Sequence, residues 1–279
     1  MGPSARTDTA SALVDHVCHV LDGARPVGAF GVPFLTAGLR AGQRPVVLAP
    51  DDQLGLARQM ADEAVALAGG GARAEIAPLG AVHGDGPVDI GPALQRYATV
   101  LDTALAEGFT GVRALCLVTD AVRDPGHRRA FAAWEHVAGA WQSSLPIASA
   151  CVYDRSALGD AVVQDLACLH PRSTGRDLSV PFRLYVRRGQ LVLEGEVDSF
   201  AAPLLQRAVE HVRPAPGQRL VVDARGLTFV NHRGLEVLVE GLARPAGGLT
   251  LLGTRALPAP LRAHLGVPEA LLDVLPWVG

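Results

Sequence analysis

The stretch Leu227-Thr228-Phe229-Val230-Asn231-His232-Arg233-Gly234-Leu235 decides the fold of the second half of this chain. It follows the apolar run Leu220–Asp223, which has the composition of a buried strand. Beyond it, apolar residues recur at the i, i+3, i+4 and i+7 spacing of one helix face: Leu235, Leu238, Val239 and Leu242. The stretch therefore predicts that the chain leaves a sheet, turns at 231–234 and enters a helix. The first turn of such a helix carries unpaired backbone N–H groups and the positive end of the helix dipole.

A second strand pattern lies upstream, at Leu191-Val192-Leu193-Glu194-Gly195-Glu196-Val197-Asp198. Together with Asp223 and the turn, it resembles the core of a STAS domain, the fold of bacterial anti-sigma-factor antagonists. In that family an apolar strand ends in Asp, Leu-Thr-Phe-Val or Leu-Thr-Phe-Ile follows, and Asp-Ser-x-Gly opens a helix. The resemblance implies a small mixed sheet backed by helices over 181–279, which acts by binding a protein partner.

The chain departs from this family at the serine that takes phosphate from a kinase-type anti-sigma factor. It has Asn231-His232 in place of Asp-Ser, so the phosphate switch cannot operate at that position. Asn231 can still cap the helix, and Arg233 adds a fixed positive charge. We therefore predict a partner-binding surface made of the turn and the end of the upstream strand: Asn231, His232, Arg233, Gly234, Glu196, Asp198 and Ser199.

Composition narrows the class of protein. With 279 residues, 49% hydrophobic and 19% charged, the chain can fill the cores of two ordinary domains. A net charge of −3 argues against direct nucleic-acid binding. The sequence has no signal-peptide core and no apolar run of about 18 residues, so we expect no membrane segment. The four cysteines, Cys18, Cys116, Cys151 and Cys168, lie in apolar runs without a C-x-x-C pair. This is typical of core thiols in a reducing, cytoplasmic protein.

Apolar strands alternate with helical patterns over the first 170 residues. Runs such as 45–50 and 112–118 are continuously apolar, as in a parallel sheet that helices cover on both faces. Apolar residues within 54–67 follow a helical period, and 172–177 is polar with no period. We therefore predict two α/β domains, divided as a disordered tail over 1–12, a first domain over 13–172, a linker over 173–180 and a second domain over 181–279.

Short pieces of the first domain follow one another in a set order: His16-Val17-Cys18, Pro33-Phe34-Leu35, Gly38-Leu39-Arg40-Ala41-Gly42, Ala106-Glu107-Gly108-Phe109-Thr110-Gly111-Val112-Arg113, Cys151-Val152-Tyr153-Asp154-Arg155 and His170-Pro171. In this order they resemble a MEDS domain, a sensory module of bacterial regulators related to the RecA/KaiC-type ATPases. The resemblance implies a RecA-like, mostly parallel sheet with helices on both faces. It also implies a sensory role for the domain.

A RecA-like fold normally grips phosphate with the pattern G-x-x-x-x-G-K-[ST]. The matching segment here is Gly28-Ala29-Phe30-Gly31-Val32-Pro33-Phe34, in which proline removes an amide; the chain contains no lysine. We therefore predict no ATP hydrolysis, no enzymatic activity and no cofactor. The aromatic residues are typical of core packing, and the alternative is an apolar pocket for a small ligand. The residues predicted to line that pocket are His16, Cys18, Phe30, Phe34, Tyr153 and His170.

Histidines and cysteines near both ends of the first domain raise the question of a metal. His16, Cys18, His19, Cys168 and His170 are side chains that bind zinc-like ions. They form the close pairs His16-x-Cys18 and Cys168-x-His170, but neither spacing is that of a recognised zinc motif. Because such residues in apolar runs are usually part of the core, we predict no metal site.

The two resemblances imply a signalling protein that acts by protein contact. We predict a non-catalytic cytoplasmic protein, an anti-sigma-factor antagonist whose first domain senses a small molecule. The predicted partner is an anti-sigma factor or a related kinase-type regulator. Two alternatives stay open. One is a small-molecule sensor whose second domain only forms a homodimer. The other is an enzyme of unrecognised type that binds a nucleotide or metabolite at 28–34.

Overall fold

The computed structural model describes residues 15–23, 26–71, 73–175, 178–212, 217, 219–253 and 272–275. The tail predicted over 1–12 lies outside them. The described residues form two sheets with helices, the first entirely parallel and the second smaller and mixed. The predicted α/β class is therefore confirmed. None of the helices in the described ranges is long and apolar enough to cross a membrane.

The first sheet has the order β3-β2-β4-β5-β1-β6, and each pair of neighbours runs parallel. Its central strands are buried along almost their whole length, which explains their continuous apolar sequences. The strands are β1 Asp15–Leu21, β2 Arg44–Ala49, β3 Glu75–Pro78, β4 Val112–Leu117, β5 Ile147–Asp154 and β6 Arg172–Gly175.

Helices cover both faces of this sheet. They are α1 Gly28–Arg40, α2 Leu54–Leu67, α3 Leu79–His83, α4 Ile90–Ala106, α5 Pro125–Gln142, α6 Arg155–Leu158 and α7 Asp160–Ala167. Buried residues of α1 and α2 pack with Val17 on one face, whereas those of α4, α5 and α7 pack with Cys18 on the other. This division follows from the alternation of side chains along a strand. It determines which of the predicted pocket residues can meet.

The second sheet surrounds the strand that carries the Gly-Glu pattern. Its strands are β7 Phe182–Arg187, β8 Gln190–Val197, β9 Leu220–Asp223, β10 Leu227–Val230, β11 Leu249–Leu252 and β12 Leu272–Leu275. Strand β7 pairs antiparallel with β8, whereas β9 and β10 pair parallel with successive parts of β8. Beside the sheet lie α8 Ala202–Val209, α9 His232–Leu238, a π-helical turn Val239–Ala243 and α10 Arg244–Ala246. The strand, turn and helix predicted from the opening stretch are all present.

The second sheet contacts the first part of the molecule through β7. The backbone N–H of Leu184 donates to the carbonyl of Cys168 at 2.7 Å. The guanidinium of Arg183 donates to the carbonyl of His170 at 2.9 Å and to the hydroxyl of Ser173 at 2.6 Å. The segment predicted as a linker over 173–180 thus begins inside β6, whose pairing with β1 makes it part of the first sheet. The sequence analysis did not identify β6 as a strand because its residues are polar, as suits a half-exposed strand at the edge of the sheet.

Candidate functional site

The turn at 231–234 caps α9. The Asn231 side chain accepts a hydrogen bond from the backbone N–H of Gly234 at 2.9 Å, and its amide donates to the Ser199 hydroxyl at 2.7 Å. Asn231 therefore satisfies one of the free N–H groups of the first turn, as predicted. The hydrogen bond to Ser199 joins this helix start to the end of β8, so the two predicted parts of the partner-binding surface lie side by side.

Most of the predicted surface is accessible. His232, Arg233, Glu196, Asp198 and Ser199 are exposed, and Asn231 is half-buried. Gly234 is buried instead, and a Cβ added there would lie 2.6 Å from Cγ1 of Val197. Gly234 therefore allows the helix to approach the strand closely and presents no side chain to a partner. Asp198 has a structural role as well, because its carboxylate accepts from the N–H groups of Phe200 and Ala201.

Two aromatic residues that the sequence analysis did not include in the surface lie beside it. Phe200 is 92% exposed and Phe229 is 46% exposed. Phe229 is paired in register with Glu196 across the β10–β8 ladder, and Phe200 follows Ser199 directly. Exposed phenylalanines next to an arginine are typical of protein-binding surfaces. Phe229 is part of the stretch that opens the sequence analysis, and its pattern there is that of a strand residue. The pattern does not show which face of the sheet its side chain lies on, so its exposure became visible only in the folded sheet.

A second group of candidate residues is buried beneath α5. His16 on β1, Cys151 and Tyr153 on β5 and His170 after α7 surround Glu135 of α5. The α5 helix is fixed in place at its start, where the carboxylate of Asp124 accepts from the N–H groups of Gly126 and His127 and Pro125 occupies the first turn. Glu135 itself lies on the buried stripe of α5, so its carboxylate points at the sheet.

One oxygen of Glu135 faces three potential ligand atoms. Glu135 Oε2 lies 3.0 Å from His16 Nε2, 3.5 Å from His170 Nε2 and 3.5 Å from Cys151 Sγ. The thiol and His16 Nε2 are 3.8 Å apart, and the two imidazole rings have centroids 4.1 Å apart. The other oxygen, Oε1, accepts a short hydrogen bond from the Tyr153 hydroxyl. These residues form a compact polar cluster inside an apolar core, which we call the Glu135 cluster.

The protonation states in the Glu135 cluster follow from burial and charge. Burial opposes ionisation of Glu135, but the His170 and His16 imidazoles and the Tyr153 hydroxyl outweigh it and lower the pKa of the carboxyl to about 2. Burial, together with the neighbouring His16, lowers the pKa of His170 to about 4. Contact with Cys116, burial and the Glu135 charge raise the pKa of the Cys151 thiol. At neutral pH the cluster therefore contains a carboxylate, an uncharged His170 and a protonated thiol.

The predicted pocket is divided between the two faces of the first sheet. His16, Cys18, Tyr153 and His170 lie on the α5 and α7 face. Phe30 and Phe34 lie on the α1 face, where Phe30 stacks on His19 at 3.7 Å between ring centroids and Phe34 lies under Arg113. The six residues thus do not line one pocket. The segment 28–34 is also helical, so its amides do not form a phosphate-binding loop.

The first sheet and its helices also form an open cleft of about 600 Å³, away from the Glu135 cluster. It is at the carboxyl ends of β2, β3 and β4, where Asp51, Leu79 and Asp120 follow their strands. His83 and His127 also line it. Ligands of open parallel sheets bind at this edge, and the volume is in the range of small-molecule sites.

Comparisons with known proteins agree with the resemblance of the first domain to a MEDS domain. Residues 15–171 match the family model described as the methanogen/methylotroph, DcmR sensory domain (MEDS), which is more than half of the chain. No curated protein matches. The crystal structure of the Escherichia coli DEAH/RHA helicase HrpB is similar at 14% identity and a TM-score of 0.35, covering 97% of this chain and 33% of the helicase; a TM-score this low does not establish a shared fold. The chain belongs to the MEDS family of sensory domains, which gives it a sensory role in signalling.

Proposed function

We propose that this protein is a non-catalytic signalling protein whose second sheet is a STAS-type module that binds an anti-sigma factor or a related kinase-type regulator. The observation that carries the proposal is the exposed turn, with His232 and Arg233 at the start of α9 and Asn231 capping it. The mixed sheet, with β9 and β10 parallel to β8 and β7 antiparallel, supports the STAS resemblance.

The chemistry of this surface favours an acidic partner with an apolar pocket. Arg233 and the positive end of the α9 dipole attract negative charge. Phe200 and Phe229 supply the aromatic anchors that contribute much of the energy of protein interfaces. Because no hydroxyl replaces the family's serine at 231 or 232, binding here proceeds without the phosphate switch.

Reversing the charge of Arg233 tests the proposal. The Arg233→Glu variant is expected to bind the partner about tenfold more weakly or worse, because an acidic surface then meets a carboxylate. The full-length chain is used to capture partners from its host lysate, and mass spectrometry identifies them. Affinity for the purified regulator is then measured by calorimetry for the wild type and the variant.

The matched control is Arg58→Glu, which changes the net charge equally at an exposed residue of α2. It is expected to bind like the wild type. Failure to recover any regulator of the anti-sigma type, or equal affinity of the Arg233→Glu and Arg58→Glu variants, would count against the proposal. In that case light scattering on the full chain and on a Phe200→Ser variant would examine the alternative, a homodimer formed through the same surface.

The cleft at the carboxyl ends of β2, β3 and β4 supports a second element of the function, a small polar ligand sensed by the first domain. Gly86 lines this cleft, and a Cβ added there meets no atom within 4 Å. The Gly86→Trp variant is therefore expected to fill the cleft while leaving the melting temperature unchanged. A thermal-shift screen with nucleotides, amino acids and small organic acids should find compounds that stabilise the wild type and not this variant.

Gly55→Trp is the control for that screen, because Gly55 lies on the exposed side of α2 and its Cβ position is also open. It should respond to the same compounds as the wild type. A screen without stabilising compounds, or equal stabilisation of the Gly86→Trp variant, contradicts the assignment of the cleft.

A further inference from the structure

We propose that His16, Glu135, Cys151 and His170 form a binding site for one divalent transition-metal ion, best matched by Zn²⁺. The sequence analysis predicted no metal site, because the pairs His16-x-Cys18 and Cys168-x-His170 lack zinc spacing. The structure combines one residue of each pair with Glu135 and Cys151. The site shares no residue with the turn at 231–234 or with the cleft. The metal-binding proposal can therefore be wrong without affecting the proposed function.

The spacing of the four ligand atoms fits a tetrahedral ion. Zinc bonds of roughly 2.0–2.3 Å place ligand atoms about 3.3–3.8 Å apart along the edges of a tetrahedron. The four donor atoms here lie within 4.8 Å of one another, and the separations from Glu135 Oε2 and between Cys151 Sγ and His16 Nε2 run from 3.0 to 3.8 Å. Small side-chain movements would bring all four into coordination.

His170 supplies an independent observation. Its ring is fully buried, and Nδ1 lies 2.9 Å from the carbonyl of Leu166. Since a carbonyl can only accept, Nδ1 carries a proton, and Nε2 is the ring atom that faces the cluster. Nε2 is buried and makes no hydrogen bond, and it lies 3.5 Å from Glu135 Oε2, beyond the usual hydrogen-bond distance. An ion bound between the imidazole and the carboxylate supplies the partner that Nε2 lacks.

The surrounding contacts are those of metal ligands. A histidine that binds a metal typically donates its other ring N–H to a carbonyl, as His170 does to Leu166. A ligating carboxylate is typically held by a further hydrogen bond, as Glu135 is by the Tyr153 hydroxyl. Tyr153 leaves Oε2 free to face the imidazoles and the thiol.

The ligand types identify the class of ion. Two imidazoles, one thiolate and one carboxylate suit Zn²⁺ and exclude the oxygen-preferring Mg²⁺ and Ca²⁺. Four protein ligands fill a tetrahedral shell, which is the arrangement of a structural or sensing site and not of a catalytic one. A cavity of about 20 Å³ touches His16, Glu135 and Cys151 and has room for one water-sized particle. Binding replaces the thiol proton of Cys151, which leaves to solvent as the Zn–S bond forms.

The experiment uses the full-length protein, freed of metal with a chelator and then titrated with Zn²⁺ against a coloured competitor. One ion per chain is expected to bind. Co²⁺ in the same site should show a thiolate-to-cobalt charge-transfer band. The Cys151→Ser variant should lose that band, and His170→Gln should weaken binding by more than the ~10–100-fold typical of outer-shell changes. Cys168→Ser, which alters a buried thiol outside the site, should behave like the wild type.

Tyr153→Phe keeps the inference testable if a ligand variant does not fold. It retains all four ligands and removes only the hydrogen bond to Glu135, so affinity should fall about 10–100-fold. Circular dichroism checks that each variant keeps its fold. Absence of stoichiometric binding, a cobalt spectrum without the charge-transfer band, or wild-type affinity in the Cys151→Ser and Tyr153→Phe variants overturns the inference.

Discussion

Replacing Glu135 by alanine is expected to lower the free energy of unfolding by about 3–5 kcal/mol, because it combines an unsatisfied buried hydroxyl, which costs about 1–3 kcal/mol, with a cavity that costs about 2 kcal/mol or more. The carboxylate accepts from the Tyr153 hydroxyl and lies 3.0 Å from His16 Nε2, and both Glu135 and Tyr153 are fully buried. Its removal leaves the buried Tyr153 hydroxyl without its hydrogen bond, takes away the nearest contact of His16 Nε2, and leaves a cavity.

Urea denaturation of the metal-free protein measures this effect. Glu135→Gln is expected to lose less than half as much, because the amide oxygen can still accept from the Tyr153 hydroxyl and the side chain still fills the space. Glu63→Ala, an exposed glutamate on α2, should stay within about 0.5 kcal/mol of the wild type. If Glu135→Ala were as stable as Glu63→Ala, Glu135 would contribute nothing to the stability of the fold, contrary to this prediction.

The second large effect is expected for Gly195→Ala, on the β8 strand of the second sheet. Gly195 has φ of +100°, and a Cβ added there would lie 2.4 Å from the carbonyl oxygen of Pro181 and 2.8 Å from Cα of Phe182. Both atoms belong to the backbone of the paired chain segment and cannot move without breaking the ladder. Positive φ alone costs a non-glycine residue about 1–3 kcal/mol, so the clash should take the total loss to at least about 3 kcal/mol.

Gly189→Ala separates the two contributions. Gly189 also has positive φ, at +75°, but a Cβ there meets no atom within 4 Å. It should therefore lose only the conformational part, about 1–2 kcal/mol. Equal stability of the Gly195→Ala and Gly189→Ala variants in urea denaturation would show that the backbone of β7 yields to a methyl group. Leu227 of β10 pairs with Gly195. A distortion of β8 at Gly195 would therefore also displace β10 and the turn at 231–234 that follows it.

The sequence alone determined the fold class and the family of the first domain. The helix expected over 54–67 is α2, Leu54–Leu67, and the apolar run at 112–118 is β4, Val112–Leu117. Both follow from hydrophobic periodicity, which depends on neighbouring residues and is therefore readable locally. The same local logic predicted Asn231 as the cap of α9, because a cap needs only the backbone three residues away.

Local patterns were not sufficient for the buried site. Glu135 is 119 residues from His16 and 35 from His170, and its position on the buried stripe of α5 reads in sequence as one charge among apolar residues. Strand alternation separates odd from even positions, but the order β4-β5-β1-β6 decides which strands are neighbours. That order makes β5 the neighbour of β1, which brings the Cys151 thiol to 3.8 Å from His16 Nε2. Phe30 and Phe34 belong to α1, which covers the opposite face of the sheet. Only long-range packing decided which of these side chains meet. Contacts between residues so far apart in sequence cost loop-closure entropy, and the burial of the whole apolar core offsets that cost.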